Sequence, residues 1–153
     1  MQDPYPPSLT LESLQYIHIF RRDNLDHADL TEPAQVQVRH ILKKHSGSRR
    51  PASWRCPNIT QSKNESIQQI TGYLQQLQDT LSREGYPAME RLFQEIAARE
   101  SDCGSHERGG DLGMFGRGQM QRLFEEASFE LAPQQLSGLV DTDSGIHILL
   151  RIR

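Results

Sequence analysis

Val36, Val38, His40 and Leu42 alternate with Gln37, Arg39, Ile41 and Lys43. This period of two predicts a strand that begins at Gln35 and has two usable faces. From His45 to about Thr60 the pattern dissolves into Ser, Gly, Arg and Pro, which reads as a loop. Behind Ser62 and Glu65, a capping-box pair, Ile67, Ile70, Leu74, Leu77 and Leu81 recur at spacings of three and four. A helix of about 20 residues is expected there, closing near Gly85. Pro87 suits the first turn of a second helix, whose apolar stripe is Met89, Leu92, Phe93, Ile96 and Ala97. Residues 101–110 are short and polar, with room for one helical turn. Residues 112–115 predict a short strand and 121–129 a brief helix carrying Leu123, Phe124 and Ala127. Two strands, about 136–141 and 146–152, close the pattern. They are joined by Thr142-Asp143-Ser144-Gly145, where Gly145 supplies the positive φ of a hairpin turn. The order β-α-α-α-β-α-β-β, with helices segregated over a small sheet, predicts an α+β fold.

The first 34 residues read differently. Pro4, Pro6, Pro7 and Pro33 punctuate them, and the apolar stretch 9–20 is compatible with either a short helix or a short strand. We read 1–34 as an acidic extension or linker and 35–153 as the folded domain. A length of 153 residues suits one domain with some spare chain. No run of 18 apolar residues exists, and residues 1–10 lack the basic and apolar regions of a signal peptide, so membrane partners are not expected. Two cysteines make no disulfide framework, and a reducing compartment, nucleus or cytoplasm, is expected.

The net charge of −3 conceals its distribution. Residues 1–34 hold six acids against Arg21 and Arg22, while 35–153 hold 15 basic and 14 acidic residues. Within that second part Arg39, Lys43, Lys44, Arg49, Arg50 and Arg55 fall in 17 residues without an acid. A run of this kind is most often a solvated loop. Two adjacent arginines beside a strand lysine also make a phosphate clamp, because guanidinium forks bind two phosphate oxygens at once. Nucleic-acid binding is disfavoured by a domain balance of only +1 and by the lack of an aromatic stacking motif. An acidic tail lying over the basic loop would compete with phosphate.

Cys103 follows Asp102, which would raise its thiol pKa, so its sequence neighbours do not suggest an activated thiolate. His40 and His147 lie on different predicted strands, and each alone reads as a bonded core histidine. Adding His106 and Cys56 gives no CxxC or HxxxH spacing, so no metal is expected.

The order of these features is more specific than any one of them. Val38-Arg39-His40-Ile41-Leu42-Lys43-Lys44-His45-Ser46 is followed by Ser48-Arg49-Arg50-Pro51-Ala52-Ser53-Trp54, then by Ser101-Asp102-Cys103. Arg108-Gly109-Gly110-Asp111-Leu112-Gly113-Met114-Phe115 comes next, then Arg117-Gly118-Gln119-Met120, Phe124-Glu125-Glu126-Ala127-Ser128-Phe129 and Thr142-Asp143-Ser144-Gly145-Ile146-His147-Ile148. The set resembles the parvulin family of peptidyl-prolyl cis/trans isomerases, in particular its eukaryotic branch acting on phosphorylated Ser/Thr-Pro bonds.

That resemblance implies a four-stranded antiparallel sheet with four helices around it, no cofactor, and a monomer acting on phosphorylated Ser/Thr-Pro proteins. It implies a catalytic group of His40, Cys103, Thr142 and His147, with Leu112, Met120 and Phe124 gripping the proline ring. Gln121 and Ser144 would line the site, and Lys44, Arg49 and Arg50 would bind the phosphate. Relatives often carry a WW module upstream, with two tryptophans; Trp54, the single Trp here, lies inside the isomerase region. An upstream recognition domain in a longer natural chain is compatible with this. Met114, Leu123, Arg39 and Asp141 depart from the residues frequent at their positions, and Cys56 is extra. A phosphopeptide-binding module with little turnover is the alternative reading.

Overall fold

Strand β1 (Gln35–Lys43) is followed by helices α1 (Lys63–Glu84) and α2 (Tyr86–Glu100) and a 3₁₀ turn (Gly104–Arg108). Strand β2 (Asp111–Gly116), helix α3 (Arg122–Glu130) and strands β3 (Val140–Thr142) and β4 (Gly145–Arg151) complete a computed structural model, which describes residues 32–153. The fourth expected helix is the 3₁₀ turn. The apolar stretch 9–20 lies outside the described residues. Among them, no helix is long and apolar enough to cross a membrane.

The four strands form one antiparallel sheet in the order β2-β1-β4-β3. The alternation in β1 and β4 sends side chains to opposite faces. Ile41, Ile146, Ile148 and Leu150 pack with Ile70, Leu74, Leu77, Met89, Phe93 and Ile96 of α1 and α2. Val36, Val38, Phe115 and Leu149 pack with Phe124, Ala127 and Phe129 of α3. Each large apolar side chain taken fully out of water contributes roughly 1.5–3 kcal/mol, and Phe93 and Leu74 are among those fully buried. The second face carries the histidines.

Helix α1 starts on the expected capping box: Ser62 Oγ accepts from Glu65 N at 3.1 Å, and Glu65 Oε1 accepts from Ser62 N at 3.0 Å. Gly85, at φ 92°, ends α1 and opens α2, with Pro87 in the first turn.

The third strand is shorter than its sequence suggests. Residues 136–139 do not join the ladder except through an isolated bridge from Leu136 to Leu150. Ser137 gives the reason. Its hydroxyl takes the Leu149 N–H at 2.9 Å, so a side chain occupies a place that a strand would fill with a backbone carbonyl.

Candidate active site

His40 and His147 come from the two central strands. The register sets Leu42 opposite His147 and Leu149 opposite His40, so the histidines are diagonal neighbours on one face. Their Nδ1 atoms lie 3.0 Å apart, and His147 Nε2 lies 2.7 Å from Thr142 Oγ1. Ser144 N donates to that same oxygen at 3.1 Å. Phe124 sets its ring edge-on to both imidazoles, 5.4 Å from His40 and 5.1 Å from His147. Burial, followed by the charge of His40, holds the His147 imidazole well below its ordinary pKa. His40 Nε2 is buried without a partner at ordinary hydrogen-bond geometry.

His40 in turn acts on Cys103. Burial pushes its thiol up, but hydrogen bonding and charge from His40, together with Ser105, outweigh this and bring it down to about 6. Ser105 N lies 3.5 Å from the sulfur. This corrects the expectation drawn from Asp102. The Asp102 carboxylate is engaged elsewhere, accepting from Lys44 N at 2.9 Å and from Ser53 Oγ at 2.8 Å. A partner 63 positions away in sequence, invisible as a neighbour, sets the thiol.

Two glycines allow the close approaches around these residues. A Cβ on Gly110, at φ +87°, would stand 2.5 Å from His40 O, while its own carbonyl accepts from His40 N at 2.9 Å. A Cβ on Gly145 would stand 2.5 Å from Lys43 O, where the β3–β4 turn meets the end of β1.

Leu112 and Met120 are partly buried against the cluster that contains Phe124. Gln121 Nε2 donates to Ser144 Oγ at 2.6 Å and so ties the start of α3 to the β3–β4 turn. Of the three expected phosphate ligands, Lys44 and Arg50 line one recess and Arg49 another, and both arginines act on the Lys44 amine. The first, of about 330 Å³, is also lined by Leu42, Trp54, Cys103 and Ser144. The second, of about 410 Å³, is also lined by Gln121, Leu123, Thr142 and Asp143. Burial and then Arg50 lower the Lys44 amine, and the effect of Arg49 on it is smaller. Among the described residues no group of three or more His, Cys, Asp or Glu is placed to hold a metal ion.

The rotamase model of the PPIC-type PPIase domain matches residues 40–153. The chain belongs to the parvulin-type peptidyl-prolyl isomerases. It is 46% identical over 121 residues to the peptidyl-prolyl cis-trans isomerase Pin1 of Arabidopsis thaliana, covering 76% of this chain and 94% of that one. To the isomerase ESS1 of Saccharomyces cerevisiae it is 42% identical over 120 residues, covering 78% of this chain and 66% of that protein. Among solved parvulin structures, the isomerase ESS1 from Candida albicans superposes with a TM-score of 0.69 at 38% identity, covering 93% of this chain and 76% of that one. The parvulin sheet thus presents a linked His40–His147–Thr142 group, with a thiol brought down to about 6 beside it and Leu112 and Met120 packed near Phe124.

Sequence reasoning missed Asp102, Ser53, Trp54 and His106 as organisers of this face. As a sequence neighbour Asp102 bears only on Cys103, and the one signal for His106 is its place three residues after the cysteine.

Proposed function

We propose that this parvulin accelerates rotation about the peptide bond between a phosphorylated Ser or Thr and the proline that follows, without covalent catalysis. The observation that carries the proposal is the single cavity lined by Lys44, Arg50 and Cys103. A phosphoserine brings about −1.5 to −2 charges at pH 7, and a guanidinium and an ammonium beside the reacting bond complement that charge. With the phosphate there, Leu112, Met120 and Phe124 receive the proline ring.

The uncatalysed barrier of about 18–20 kcal/mol is lost amide resonance, so no bond has to break and no cofactor is needed. A thousandfold acceleration asks for about 4 kcal/mol of preferential stabilisation of the twisted amide. The hydrogen-bond directions indicate how the polar group acts. Ser144 N–H donates to Thr142 Oγ1, and in the proposed arrangement the hydroxyl hydrogen goes to His147 Nε2. The two Nδ1 atoms, 3.0 Å apart, share a single hydrogen. His40 Nε2, without a hydrogen-bond partner among the described residues, is the ring nitrogen left to a substrate or to Cys103. Cys103 thereby tunes the field at the twisting bond, and no adduct forms.

Exchange NMR on phospho-Ser-Pro, Glu-Pro and Ser-Pro peptides tests this reading. Faster exchange is expected in the order phospho-Ser-Pro, Glu-Pro, Ser-Pro. Equal turnover of the three overturns the phosphate preference; binding without acceleration shows a phosphopeptide module; a stable thioester-like adduct overturns the non-covalent role of Cys103.

A further inference from the structure

Trp54 is the chain's single tryptophan, and half of its surface is exposed. It is nonetheless fixed on two sides. Its indole N–H donates to Ser101 O at 2.7 Å, and its ring lies flat on the His106 imidazole, with centroids 3.7 Å apart and planes 9° from parallel. His106 Nδ1 lies 3.3 Å from Ala98 O, which secures the imidazole to α2. Ser101 and His106 bracket Cys103 in sequence, whereas Trp54 belongs to the loop that carries Arg50. The stack therefore joins the loop of the cations to the segment of the cysteine. Ser53 adds a tie beside it, since Asp102 accepts from Ser53 Oγ with one oxygen and from Lys44 N with the other.

We infer that Trp54 and His106 form a clasp that fixes the position of Lys44 and Arg50 relative to Cys103, and thereby sets how strongly the enzyme discriminates phosphorylated from unphosphorylated substrates. The inference rests on the phosphate-directed reading above. Its physical basis is preorganisation. A loop that must be ordered when phosphate binds loses part of the binding energy to that ordering, and a loop already held does not. An unphosphorylated substrate makes no use of the cations and so gains little from the clasp. Both clasp residues are positioning residues, because His106 acts through Trp54 and the loop.

The test uses the full chain with His106→Ala, which removes the stacked ring, and His106→Phe, which restores a flat one. For His106→Ala we expect KM for a phospho-Ser-Pro peptide to rise at least fivefold while kcat changes less than twofold. The ratio of kcat/KM between phosphorylated and unphosphorylated peptides falls accordingly. Emission from Trp54 shifts to the red as the indole gains water. His106→Phe returns both KM and emission to within twofold and a few nanometres, respectively, of the wild type. A wild-type preference retained in full by His106→Ala overturns the clasp and leaves the phosphate-directed reading standing. Failure of His106→Phe to restore KM, with an unchanged melting temperature, also overturns the clasp. A wild-type enzyme with no phosphate preference overturns the phosphate-directed reading, and this inference with it.

Discussion

His40 and His147 meet Nδ1 to Nδ1 at 3.0 Å although the strand register opposes neither to the other. The diagonal leaves His147 Nε2 for Thr142, so the pair is anchored from the hairpin end. Thr142→Val keeps the shape of the side chain and removes the hydroxyl. A buried imidazole nitrogen then loses its partner, at a cost of about 1–3 kcal/mol. We expect urea unfolding to show that loss, and exchange NMR to show a kcat lowered about tenfold. Unchanged stability and turnover would mean that Thr142 is a spectator.

Cys103 supplies a pH test with a definite sign. A thiol lowered to about 6 is anionic above that pH and protonated below it. In a Cys56→Ser background, alkylation by iodoacetamide is expected to rise as pH increases through 6 and to level off above about pH 7, followed by mass spectrometry. His40→Ala removes the imidazole that opposes the effect of burial, so the midpoint moves upward. A midpoint near the ordinary thiol value of about 8.5 in the wild type would contradict the lowered state.

The different surroundings of Arg49 and Arg50 predict unequal effects. Arg50 shares its cavity with Lys44, whereas Arg49 faces Gln121 and Asp143. Arg50→Gln is expected to raise KM for a phosphopeptide about tenfold or more, and Arg49→Gln to raise it by a clearly smaller factor. Titrations at two salt concentrations check this, since the Arg50 effect should shrink as screening rises. Equal effects would restore a shared clamp.

Gly110 provides a test that is steric and not electrostatic. An alanine there needs φ near +87° and places its Cβ 2.5 Å from His40 O. Destabilisation of more than about 1 kcal/mol is expected, with kcat falling as β1 shifts at His40. Thermal melting and exchange NMR on one sample read both effects.

Periodicity made most of the fold legible. The alternation in β1, the Ser62–Glu65 box and the stripes of α1 and α2 each depend on residues close in sequence, and each appears where the pattern placed it. The strand expected at 136–141 is realised as a ladder only from Val140, because Ser137 bonds Leu149 through its side chain, a choice made by a residue 12 positions away. The site followed the same division. Order and residue type indicated the histidines, the cysteine and the cations, but not the β3–β4 turn holding Arg49 N through Asp143 O, which depends on a residue 94 positions away. Nor could they disclose Trp54 stacking on His106 across 52 positions, which only the folded path of the chain creates.

The position of β4 between β1 and β3 bears on how the protein is made. The strand that fills the middle of the sheet is the last element of the sequence, and it closes a contact with His40 across 107 residues. Such a long loop is entropically costly to close, so helices α1 and α2 can form and pair well before the sheet is complete. On a ribosome the chain would hold β1 without its central partner until residues 145–151 emerge. An exposed strand edge is a template for unwanted pairing, so synthesis passes through an interval of aggregation risk that ends only when His40 and His147 meet.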